Sequence, residues 1–139
     1  MYRRILVPTD LTDRTLKALE AASSIATPAD ARITLLHVIE TIAGTEDNQL
    51  MAFYRKLERQ AAERLKEIIS RASGKRSEIL AEIVYGSRVA EVLRFVRAND
   101  VDLIVLASHP LDASKPYEGL GTISYKLGIV APCAVLLVK

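Results

Sequence analysis

Ile33-Thr34-Leu35-Leu36-His37-Val38-Ile39 is apolar almost without interruption. A strand with one wet face alternates apolar and polar side chains, because successive side chains leave opposite faces of the sheet. A run without that alternation belongs to a strand covered on both faces, the condition of a parallel sheet with helices above and below.

The flanking segments agree. Ile5-Leu6-Val7 is a shorter apolar run closed by Pro8 and Thr9-Asp10, the punctuation that ends a buried strand. Between the two runs, Leu16, Leu19, Ala22 and Ala26 recur at helical spacing, with Asp10 or Thr12 expected as cap and Pro28 as stop. After the second run, a polar loop from Thr41 to Asp47 leads into the longest helix. Its stripe is Leu50, Tyr54, Leu57, Ala61, Leu65, Ile68 and Ala72, and Ser73-Gly74 ends it. Ile79 to Tyr85 predicts a third strand, which Glu78 and Glu82 mark as lying near an edge. Gly86-Ser87 opens a helix with Ser87 as cap and Val89, Val92, Leu93 and Val96 as stripe, closed by Asn99-Asp100. Val101 to Ala107 predicts the fourth strand. A loop from Ser108 to Leu120 follows, then a short helix from Gly121-Thr122 through Leu127-Gly128 and a fifth strand from Ala134 to Val138.

Strand and helix thus alternate throughout, which specifies an α/β protein built as an open, doubly wound parallel sheet with helices on both faces. In such folds ligands bind outside the carboxyl ends of the strands, where the strand order reverses. That directs attention to Pro8-Thr9-Asp10, Val38-Ile39-Glu40, Tyr85-Gly86-Ser87 and Ala107-Ser108-His109.

The 139 residues, half of them apolar and 26% charged, fit one domain spanning 1–139 that folds without metal or disulfide staples. Cys133 is the single cysteine, so no internal disulfide forms, and a reducing compartment is expected. The apolar stretch after Arg3-Arg4 is too short for a signal-peptide core, and no segment has the length and apolarity of a membrane span. A cytoplasmic location is therefore expected. Lysines and arginines total 19 against 17 acids and are scattered, and aromatics make up 5% with no tryptophan. This is a mixed solvated surface and not a nucleic-acid face.

Among motifs, Gly119-Leu120-Gly121-Thr122-Ile123-Ser124 is a glycine-containing loop feeding a helix. Helix N-terminal amides and the hydroxyls of Thr122 and Ser124 are suited to a phosphate, although a flexible loop capped by Thr122 reads equally well. It is neither a Walker A loop nor a dinucleotide fingerprint. Asp10 can accept hydrogen bonds from ribose hydroxyls or cap a helix. His37, inside an apolar run, reads as a satisfied interior group, and His109, in a polar loop, as a phosphate contact. The spacing of Asp10, His37 and His109 carries no metal-ligand signature. Cys133 reads as a small buried thiol. No set of nucleophile, base and orienting residue is present, so no catalytic residue is assigned, and any turnover is at most a weak ATPase or autophosphorylation. A two-component receiver shares the alternating pattern, but it needs paired acids after the first strand and an acid at a central strand end, and Val105-Leu106-Ala107-Ser108 has none.

Ile5 to Asp10, Leu35-Leu36-His37-Val38, Tyr85-Gly86-Ser87, Ala98 to Ser108 and Val130 to Val138 together resemble a universal stress protein (UspA-type) domain, in order and over the whole chain. The resemblance implies a five-stranded sheet of order 3-2-1-4-5 and a homodimer joined along the last strands. It also implies a stress-response protein that binds ATP or AMP, with or without Mg2+, as a regulatory ligand. The wholly apolar segment Ala134 to Val138 agrees, since an uncovered edge invites a second copy. By the resemblance, Pro8, Thr9 and Asp10 flank the adenosine with Asp10 toward the ribose, and Val38 offers backbone groups to the adenine. Gly121, Thr122, Ile123 and Ser124 hold phosphates with His109 nearby, while Lys115 reads as a solvated loop residue. The family pattern Gly-x2-Gly-x9-Gly-Ser/Thr is half altered here: Ala107 and Pro110 stand for its first two glycines. Both restrict the backbone, and proline lacks an N–H, so a different or weaker phosphate cradle is expected. The alternatives are a dimeric interaction module without nucleotide, or the weak ATPase or autokinase.

Overall fold

The computed structural model describes residues 2–26, 30–41, 48–72, 78–108, 114 and 122–139. In chain order the elements are β1 (Arg4–Pro8), α1 (Arg14–Ile25), β2 (Arg32–Glu40), α2 (Asn48–Arg71), β3 (Glu78–Gly86), α3 (Arg88–Ala98), β4 (Leu103–Ala107), α4 (Ile123–Val130) and β5 (Ala134–Val138). All strand pairs are parallel, in the order β3-β2-β1-β4-β5.

The central strands alternate between two cores. Ile5, Val7, Ile33, Leu35, Leu103 and Val105 pack on one face against Ala18, Leu19 and Ala22 of α1 and Leu65 and Ile68 of α2. Leu6, Leu36, Val38, Ile104 and Leu106 pack on the other against Val92 and Val96 of α3 and Leu127 of α4. Each fully buried leucine or isoleucine contributes about 2 kcal/mol, so a continuous apolar strand between two helical layers is strongly held in register. β3 is the edge strand beside β2, with Glu78 and Glu82 exposed as expected.

Several sequence expectations shift. Neither Asp10 nor Thr12 caps α1; Asp13 holds the N-cap position and makes no side-chain cap bond. The inward face of α1 is Thr15, Ala18, Leu19 and Ala22, and Leu16 is only half-buried. Ser87 sits at the N-cap of α3, again without a side-chain cap bond. α4 runs through Gly128 to Val130, because a glycine inside an exposed helix costs only about 1 kcal/mol and does not by itself break it. β4 begins at Leu103, two residues later than expected, because Asp102 closes the strand start with its side chain. Its carboxylate accepts from the Arg3 and Arg4 N–H groups at 2.9 and 3.1 Å, while its own N–H donates to the Arg4 carbonyl at 2.9 Å. Pro28, the loop 42–47 and Ser73-Gly74 lie outside the described residues.

Candidate functional site

The carboxyl ends of β1, β2 and β4 open into a cavity of about 110 Å³ at the point where the chain leaves β1 for one side of the sheet and β4 for the other. Pro8, Thr9 and Asp10 form one wall, Leu36, His37 and Val38 the next, and Leu106 and Ala107 the third. The N-terminal turns of three helices complete it, through Thr15 of α1, Arg88 and Val92 of α3, and Thr122, Ile123 and Ser124 at α4. A second cavity of about 410 Å³ continues toward α2, lined by Leu11, Leu57, Gln60, Ala61 and Arg64. His37, Val38 and Arg88 belong to both cavities.

The sequence-derived candidates Pro8, Thr9, Asp10, Val38, Ala107, Thr122, Ile123 and Ser124 therefore gather around one cavity. His109, Pro110, Lys115, Gly119 and Gly121 lie outside the described residues. His37, Thr15 and Arg88 also line the cavity and were not expected there. His37 neighbours Val38 in a strand whose end was already indicated, and Arg88 directly follows Gly86-Ser87. Thr15 carried no local signal, since only the tertiary fold brings it to Thr9.

The loop between β1 and α1 is tightly determined. The Thr9 and Thr15 hydroxyls share a 2.6 Å hydrogen bond, and Thr9 Oγ1 accepts from the Leu11 N–H at 2.9 Å. Asp10 Oδ1 accepts from the N–H of Thr12 at 3.0 Å and from its hydroxyl at 2.6 Å, and Oδ2 lies 3.7 Å from Arg14 Nη2. Leu11 occupies the left-handed region at φ 69°. That conformation costs a side-chain-bearing residue about 1–2 kcal/mol, so surrounding contacts must hold it. Arg64 of α2 supplies one, donating from Nε to the Leu11 carbonyl at 2.9 Å. Arg64 and Arg71 both donate to Asp13 Oδ1 at 2.8 Å. These hydrogen bonds, from Arg64 first, hold the Asp13 carboxyl below its ordinary range.

His37 Nδ1 lies 2.9 Å from the Thr9 carbonyl oxygen, which can only accept, so Nδ1 carries a proton and donates. The histidine is satisfied, as expected, yet it is half-buried and lines the cavity instead of sitting in the core. At α4, Thr122 is the N-cap and its Oγ1 accepts from the Tyr125 N–H at 3.2 Å. The first-turn amides of a helix lack intrahelical acceptors and carry its positive dipole end, which suits an anion. Arg88 adds a cation and is held by Glu40 at 3.2 Å. Among the described residues, no group of three His, Cys, Asp or Glu side chains is arranged to hold a metal ion. Cys133, half-buried against the α3/α4 core, has its thiol pushed up in pKa by burial and secondarily by Asp102.

Comparison with known proteins gives one family. The model of the universal stress protein family matches residues 1–139. Universal stress protein YxiE of Bacillus subtilis (strain 168) is 28% identical over 149 residues, covering all of both chains. The structure of UspA from Lactobacillus plantarum superposes with a TM-score of 0.76 at 24% identity, covering 99% of this chain and 98% of that one. The Archaeoglobus fulgidus universal stress protein solved in complex with dAMP gives 0.71 at 18% identity, covering 99% and 98%. A universal stress protein solved in complex with cAMP gives 0.68 at 20%, covering 99% and 97%.

Proposed function

The chain belongs to the universal stress protein family, and from that premise we propose that it binds an adenine nucleotide, ATP or AMP, as a regulatory ligand in the cavity at the ends of β1, β2 and β4. The observation that carries this reading is the convergence on that cavity of a strand-end carboxylate, the β2 backbone at Val38 and the N-terminus of α4 with its Thr122 and Ser124 side chains. An apolar slot with a few convergent polar groups and a helix dipole is the chemistry an adenosine phosphate requires. Proteins of the same fold solved in complex with dAMP and cAMP lend the ligand class.

Asp10 would accept from ribose hydroxyls, Pro8 and Thr9 would pack along the sugar, and Val38 would face the base, with the α2-side cavity giving the ligand room beyond it. The Ile123 and Ser124 amides and the Thr122 and Ser124 hydroxyls, with Gly121 and His109, would receive phosphate. Asp10 already accepts from Thr12 and faces Arg14, so any Mg2+ would arrive on the phosphates and not on a carboxylate cage. Ala107 in place of glycine makes binding weaker than a full glycine cradle gives.

In this reading the protein is a single-domain, cytoplasmic homodimer that signals by conformation. Tyr125, Ile129 and Val130 of α4 and Leu137 of β5 are exposed apolar side chains on the elements that would meet a second copy. Ala107 and Pro110 favour a second reading, a dimeric interaction module without nucleotide. Calorimetric titration of nucleotide-free protein with Mg-ATP, AMP and GTP separates them: micromolar binding of the adenine nucleotides alone supports the first, and no heat with any of the three supports the second.

A further inference from the structure

We infer that Arg64 of α2 is a positioning residue for the ligand cavity, acting through the backbone of Leu11. Leu11 follows Asp10 directly, so its conformation sets where the cavity's carboxylate and the Pro8-Thr9 wall stand. Its φ of 69° is one that L side chains adopt only when contacts enforce it. From within the loop, the Thr9 hydroxyl takes the Leu11 N–H at 2.9 Å. From outside, Arg64 Nε donates to the Leu11 carbonyl at 2.9 Å. The same guanidinium is fixed by Asp13 Oδ1 at 2.8 Å and Glu67 Oε1 at 3.0 Å, and its side chain is only 24% exposed. A planar fork held at two carboxylates presents its Nε–H in one direction, which lysine cannot reproduce.

Arg64 also lines the α2-side cavity that meets the ligand cavity at His37 and Val38. The loop that carries Asp10 is therefore clamped from a helix that contributes no side chain to the cavity at the strand ends. The strained conformation is the organised one; without the clamp Leu11 relaxes to negative φ, and the Asp10 wall is lost together with the strain.

The assignment rests on the nucleotide reading for its ligand, and its geometry is testable without one. Arg64→Ala is expected to weaken binding of AMP about tenfold and to speed hydrogen exchange at the Leu11 and Thr12 amides, with Arg64→Lys behaving like Arg64→Ala. Adding Leu11→Gly to Arg64→Ala should recover most of the lost affinity, because glycine adopts positive φ without enforcement. An Arg64 that merely docked α2 would gain nothing from that second change. Unchanged exchange at Leu11 and Thr12 in Arg64→Ala overturns the clamp, as does a double variant that binds no better than Arg64→Ala. If the unaltered protein binds no adenine nucleotide, the ligand reading fails alone, and the exchange data still decide the clamp.

Discussion

His37 of β2 donates from Nδ1 to the carbonyl oxygen of Thr9 across 2.9 Å, tying the strand, three residues before its end, to the turn that leaves its neighbour β1. The ladder between β1 and β2 ends at the pair Pro8 and Leu36. Beyond it the Thr9 N–H still donates to the Leu36 carbonyl at 2.9 Å, so the histidine bond extends strand pairing by a side chain into the cavity wall. His37→Phe keeps the apolar bulk and removes the donor. It should cost about 1 kcal/mol of stability in denaturant unfolding and weaken nucleotide binding several-fold.

Asp13 predicts an acid sensitivity. Its carboxyl is held below the ordinary value by the Arg64 and Arg71 hydrogen bonds, so ionised Asp13 contributes stability at neutral pH. That contribution is present above the carboxylate range of the unfolded chain, near pH 4, and is lost as pH falls through the lower folded value. The stability difference between the unaltered protein and Asp13→Asn should be constant from pH 6 to 8 and shrink below about pH 4. Urea unfolding at stepped pH measures it, and a difference that grows on acidification would contradict the assignment.

The exposed apolar side chains of α4 and β5 predict self-association. The unaltered protein should sediment as the proposed dimer, whereas Leu137→Glu, which places a charge on the sheet's terminal strand, should sediment as a monomer with an unchanged far-ultraviolet spectrum.

Much of this architecture is legible in the sequence, for identifiable reasons. The nearly continuous apolar run from Ile33 to Ile39 requires cover on both faces, and it gives Ile33 and Leu35 to one core and Leu36 and Val38 to the other. Helix starts were harder to read. Asp10 and Thr12 carry the composition of a cap, yet their side chains bond to each other in a turn, while Asp13 reaches across to Arg64 and Arg71. Pairings between residues far apart in the chain, such as Asp102 with Arg3 and Arg4, leave no local trace; neither does a leucine at positive φ. The site was legible at the strand ends that the topology indicates. The contributions of Thr15 and Arg64 were not, because both depend on how α1 and α2 dock.

Cys133 should be a slow nucleophile. Burial raises its thiol pKa, with the Asp102 charge adding to it, so little thiolate exists at neutral pH. Reaction with a chromogenic disulfide reagent at pH 7 should be well below the rate of the same protein in denaturant.

The central claim, phosphate at the N-terminus of α4, is tested most directly by titrating AMP and Mg-ATP into Ser124→Glu beside the unaltered protein. A carboxylate in the first turn suits the helix dipole, so the melting temperature should hold or rise, while the new charge repels phosphate from the cavity. Nucleotide binding by the unaltered protein, lost in Ser124→Glu at undiminished thermal stability, is the predicted result. Equal affinity in both proteins would contradict it and remove the phosphate from this end of the sheet.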